Sequence, residues 1–62
     1  MSVKRRDLVK YFEQNGFKLL REGANHSIYT NGTKAIPVKR HRQLDRITAN
    51  ELCKQAGLDP VF

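Results

Sequence analysis

The stretch "HSIYTNGTKAIPV", His26 to Val38, constrains this chain more than any other. Two runs rich in β-branched and aromatic residues flank Asn31-Gly32, the strongest short-range hairpin signal, because both residues tolerate the positive φ that tight turns demand. A strict two-residue loop at Asn31-Gly32 sets Ile28 opposite Ala35 and His26 opposite Pro37. A three-residue loop with a bulge pairs Ile28 with Ile36 and His26 with Val38, and we favour it because it gathers Ile28, Ile36 and Val38 on one inward face. The same alternation sends Tyr29 to the exposed face and keeps His26 on the face of Ile28, at its rim. Pro37 has no N–H to give to a ladder, so its strand belongs at a sheet edge.

Upstream, "FKLLRE", Phe17 to Glu22, alternates Phe17 and Leu19 with Lys18 and Leu20 and reads as a further strand, joined to "HSIYT" across Gly23-Ala24-Asn25. Before it, Lys4 to Asn15 spaces Leu8, Val9 and Phe12 as the stripe of an amphipathic helix, which Asn15-Gly16 stops. After the hairpin, "TANE" predicts a second helix, with Thr48 as cap and Glu51 reaching back in a capping box. Leu52, Cys53 and Ala56 share its buried face, Gly57 ends it, and "LDPVF" docks apolar ends onto the body. The order is helix, three-strand meander, helix. This is an α+β fold, a three-stranded antiparallel sheet with both helices on one face. At 62 residues the chain reads as one domain, residues 1–62, and a domain of that size buries only about 60% of the surface of its unfolded chain.

Charge decides which partners to consider. Twelve Lys and Arg against six Asp and Glu give a net charge of +6, a field that concentrates polyanions, so nucleic acid comes first. An anionic membrane would need a basic amphipathic helix with bulky apolar residues or a lipidation signal, and neither is evident. Apolar runs are too short for a membrane span or a signal peptide, and the expectation is a soluble, cytoplasmic protein. The lone Cys53 cannot form an internal disulfide and reads as a packed small hydrophobe; no Cys/His spacing suggests a metal, and no cofactor is implied.

Lys39, Arg40, Arg42 and Arg46 hold a third of the positive charge within eight residues, with His41 among them. They form either a solvated loop or a segment that contacts phosphates and releases counterions. Lys4, Arg5 and Arg6 offer a second patch at the start of the first helix, where cations oppose the helix dipole; such a cost hints at a use for the charge. Phe12 and Phe17 belong to the core, whereas Tyr29 remains open as a stacking platform. His26 is either a rim histidine in a turn or a catalyst. An imidazole can take a proton from a ribose 2′-hydroxyl or give one to a leaving 5′-oxygen, a reaction that needs a base, an acid and cations but no metal. His26, His41 and the surrounding Arg and Lys supply those residue types.

The segment "REGANHSIYTNG" followed by "AIPVKRHRQLDRITANELCKQAGL", with Gly16-Phe17 before it, resembles the HicA family, the small toxins of HicAB toxin–antitoxin systems. The resemblance runs from the first helix to Gly57. It implies an αβββα fold like that of a double-stranded RNA-binding domain, and an mRNA interferase that cleaves RNA, arrests translation and is neutralised by a HicB antitoxin. The family's catalytic histidine usually follows Gly-Ser; the residue matching it here is His26, in the departing form Gly23-Ala24-Asn25-His26. Pro37, Arg40 and His41 match a "P-x-x-R-H" element of the family, which carries no catalytic role to His41; phosphate binding and support of the second helix stay open. The expectation is a metal-independent ribonuclease with His26 as general acid or base and Lys39, Arg40, His41 and Arg42 gripping the RNA backbone. Two other classes compete with it: a non-catalytic reader of double-stranded RNA, and an interaction protein whose basic face docks an acidic partner.

Overall fold

Leu8 and Phe12, one helical turn apart, are both fully buried, and their stripe seats helix α1 (Arg5–Gln14) on the body. The computed structural model describes residues 2–62. Gly16, at φ +87°, reverses the chain past the helix end, and the Phe17 N–H donates to the Phe12 carbonyl at 3.0 Å. That turn brings the two rings within 5.1 Å of each other.

The chain then forms strands β2 (Lys18–Glu22), β3 (His26–Thr30) and β4 (Ala35–Lys39), an antiparallel sheet in the order β2-β3-β4. Helix α2 (Arg46–Gln55) buries Ala49, Leu52 and Cys53. These join Leu8 and Phe12 of α1 and Tyr29, Ile36 and Val38 of the sheet in one core. Both helices therefore cover the same sheet face, as the αβββα reading expects. The least extent of the molecule, 16 Å, has room for one sheet and one layer of helices packed about 10 Å apart, so the other face of the sheet is open. Pro37 lies on edge strand β4, as its missing N–H requires. Leu58 and Phe62 pack on the core, Phe62 edge-to-face with Tyr11 at 5.8 Å.

The hairpin register differs from both sequence expectations. Tyr29 pairs with Ile36, Ile28 with Pro37 and His26 with Lys39. The turn is centred on Gly32-Thr33 rather than Asn31-Gly32. Gly32 has φ +97° while no non-glycine residue has a positive φ, the requirement of a type II′ turn. What moved it is Asn31, whose Oδ1 accepts from the N–H groups of Thr33 and Lys34 at 3.0 and 2.8 Å, so Asn31 flanks the turn instead of sitting in it. The shift reverses the faces: Tyr29 is buried and Ile28 is half-buried on the open face. Tyr29 is thus no stacking platform. His26 stays on the face of Ile28, which is now the open one.

Leu19 is 45% exposed, on edge strand β2 with a bulge at Leu20 between the Leu19 and Arg21 pairings. One further expectation is corrected. Thr48 is not the cap of α2: the Asp45 carboxylate accepts from the Ile47 and Thr48 N–H groups at 3.1 and 3.3 Å, and the helix starts three residues before the Thr48 cap would allow. Glu51, freed from a capping box, lies 3.6 Å from Lys54.

Two short strands escape the sequence reading. Strand β1 (Ser2–Lys4) pairs with β5 (Gln43–Asp45), Val3 opposite Leu44. Three residues are too few to show a period, and pairing partners some forty residues apart leave no local signal. Their effect is to pin the far end of the basic loop 40–42, between β4 and β5, beside the start of α1.

Candidate functional site: a basic cleft beside an exposed histidine

His26 opens β3 at a tight turn. The Gly23 N–H donates to the His26 carbonyl at 2.7 Å, so Ala24-Asn25 is a two-residue connection. A Cβ at Gly23 would stand 3.3 Å from that same carbonyl oxygen, a close approach that glycine permits. The basic loop is tied to this turn through Arg40: its backbone N–H donates to the Asn25 carbonyl at 3.1 Å and its Nη1 to the Gly23 carbonyl at 3.0 Å. Asn25, which stands where the resembled motif has Ser, therefore holds the loop through its backbone.

Arg5 fixes the histidine from the helix side. Its Nη2 donates to the Oγ of fully buried Ser27 at 2.9 Å, and its Nε to the Lys39 carbonyl at 3.1 Å. Ser27 follows His26 in sequence, and Lys39 is its cross-strand partner. The Arg5 N–H also donates to the Arg42 carbonyl at 2.9 Å. The Arg5 guanidinium, a cation that opposes the helix dipole, is thus engaged by acceptors of β3 and β4, which accounts for the cost noted in the sequence. Arg5→Ala is expected to destabilise the domain by about 1–3 kcal/mol, chiefly by stranding the Ser27 hydroxyl. Urea titration would register this as a lower midpoint at constant slope; an unmoved midpoint would mean that the clamp holds nothing.

The open face around His26 has two kinds of surface. On one side Arg21, Ile28 and Pro37, which form one cross-strand row, line a concavity that reaches His26. On the other, His26 shares a shallow depression with Lys39, Arg40 and His41. His41 and Arg40 also border a larger cleft of about 690 Å³, where Arg42 meets Lys4, Arg5 and Arg6 from the start of α1. Lys4, Arg5 and Arg6 thus join Arg40 and Arg42, from the other basic patch of the sequence, in one cleft. Of the expected site residues, Lys39, Arg40 and His41 are brought to His26, while Arg42 lies in the adjoining cleft. Arg46 opens α2 and lines neither.

Charge in this region is uncompensated. Among the described residues the ion pair within 4 Å is Glu51 with Lys54, on α2; Glu22 borders the large cleft without pairing there. Helix α1 begins with no side-chain cap at Lys4, so its positive end adds to the potential. Cys53 takes no part: burial pushes its thiol up, as suits a packed hydrophobe. Sequence reasoning missed Ser27, Arg21 and the Ile28–Pro37 shelf. Of Arg5 it read the charge at an unfavourable helix end but not the contacts that charge makes.

Fold and site together define a class: a small αβββα domain with an unpaired basic cleft beside an exposed histidine. The family model described as "HicA toxin of bacterial toxin-antitoxin" matches residues 5–58, and the chain belongs to the HicA family, the toxins of bacterial toxin–antitoxin systems. Comparison with curated proteins and with solved structures finds no match.

Proposed function

We propose that this HicA-family toxin is an mRNA interferase, a metal-independent endoribonuclease that cleaves RNA by proton transfer at His26 and is neutralised by a HicB-type antitoxin. The observation that carries the reading is one exposed imidazole at the rim of cations drawn from three segments: the start of α1, the end of β4 and loop 40–42. Those cations, Lys39, Arg40 and Arg42 foremost, neutralise the RNA backbone and the charge that gathers on the phosphorus in the transition state. The groups gathered round His26 are proton carriers and cations, the set that transesterification by a ribose 2′-hydroxyl requires. Sequestering this rim with an acidic surface is the direct way for an antitoxin to silence it.

The test uses an RNA and a DNA of the same sequence, with and without a chelator. RNA is expected to be cut in both conditions and DNA in neither, because DNA lacks the attacking hydroxyl. Intact RNA, or activity that the chelator abolishes, would overturn the reading. With about three phosphates neutralised, the slope of log affinity for single-stranded RNA against log salt is expected near −2, measured by fluorescence anisotropy with His26→Ala; a flat response would take the basic cleft out of RNA binding.

A further inference from the structure

We propose that His41 is the second proton-transfer group of the site, the general acid that protonates the departing 5′-oxygen; this rests on the ribonuclease reading above. The chain carries His41 to His26 by a short route. Lys39 is the cross-strand partner of His26, the Arg40 N–H is bonded to the Asn25 carbonyl at 3.1 Å, and His41 comes next. The two histidines then line one depression, together with Ala24, Asn25, Lys39 and Arg40.

Cleavage by a 2′-hydroxyl moves two protons. The O2′–P bond forms and the P–O5′ bond breaks; the 2′ proton goes to a base, and a proton from an acid goes to O5′. The products are a 2′,3′-cyclic phosphate and a 5′-hydroxyl. Imidazole is the side chain in this depression whose type both takes and gives a proton near neutrality. Carboxylates do not compete. Glu22 lines the neighbouring cleft, and Asp45, which shares a separate hollow with His41, is engaged in capping α2.

The surroundings of the two rings separate their roles. From His26 the surface runs onto Ile28 and Pro37, an apolar shelf for the ribose and base of the attacking nucleotide. From His41 it opens into the cleft of Arg6 and Arg42, where the phosphates on the leaving side run. His26 accordingly takes the 2′ proton and His41 gives one to O5′. Both rings are exposed, so exchange with water resets them between turnovers.

The test compares wild type, His26→Ala, His41→Ala and His41→Gln on ordinary RNA and on RNA with sulfur in place of the bridging 5′-oxygen at the cut site. A thiolate leaves without a proton. On ordinary RNA, either His41 variant is expected to lose about 10²–10⁴-fold in rate. On the sulfur-bridged RNA both His41 variants are expected within about tenfold of wild type, while His26→Ala stays impaired; a merely structural defect at position 41 would persist on both substrates. Full activity of the His41 variants on ordinary RNA, an equal loss on both substrates, or recovery of His26→Ala instead would each overturn the proposal. An inert wild type would sink the ribonuclease reading and this assignment with it; an active wild type with unimpaired His41 variants sinks the assignment alone.

Discussion

His26→Ala is expected to lower RNA cleavage by about 10²–10⁴-fold, the usual worth of a positioned general acid or base, while leaving the fold and most RNA affinity in place. The reason is positional. His26 is exposed at the start of β3, the core takes nothing from its ring, and its backbone contacts to Gly23 survive truncation. On the proposed reading, RNA binding rests on cations of the adjacent loop and of α1, which line the cleft and which the substitution leaves untouched. Cleavage assays, anisotropy and a thermal melt on the same preparations separate the three properties. In cells, expression of the wild type should arrest growth with loss of RNA integrity, and the variant should not. If the variant arrests growth as the wild type does, catalysis at His26 is wrong and the non-catalytic RNA reader gains.

The largest effect on stability is expected at Phe12. Its side chain is wholly buried between α1 and the sheet, with the Phe17 ring at 5.1 Å. Truncation to Ala costs about 3–5 kcal/mol, through lost transfer energy and the cavity left behind. The folded domain leaves 4323 Å² exposed, against roughly 10,000 Å² for an unfolded chain of its mass. A domain so small holds only about 3–9 kcal/mol of stability in all. Phe12→Ala is therefore expected to be largely unfolded at 37 °C by far-UV circular dichroism. Leu20→Ala, in the exposed bulge of β2, should stay within about 0.5 kcal/mol of wild type. A Phe12→Ala melt only a few degrees below wild type would mean that the two rings are not the centre of the core.

The helices and the meander were legible in the chain because each rests on local signals. Leu8 and Phe12 repeat at the helical period, Gly16 can take a left-handed φ, and Pro37 cannot serve a central strand. His26 was legible as a candidate for the same reason, standing between a turn and a strand with basic residues a short distance on. The hairpin register was not legible. Asn31-Gly32 and Gly32-Thr33 are adjacent alternatives, and the choice between them depends on which face of β3 the helices cover. The apolar residues Ile28 and Tyr29 differ in parity and each fits an inward face. The core has room for the Tyr29 ring beside Ile36, and the Asn31 side chain closes the shifted turn. Likewise the cap of α2 fell to Asp45, because pairing of β5 with β1 carries the chain extended up to that residue.

What the sequence by itself determined is the order of the two helices and the three-strand meander, the small size of the core, the positive field and the one histidine that the turn sets at a rim. Those follow from composition and short-range periodicity, which need no partner strand. Tertiary structure alone decided that the basic residues at positions 4–6 and 40–42 form one cleft and that His41 shares a depression with His26. It also turned Arg5 into a clamp on Ser27 and Lys39. Each of these joins residues far apart in the chain through pairing of β1 with β5 and of β3 with β4, and such contacts are set by which surfaces bury together rather than by any local preference.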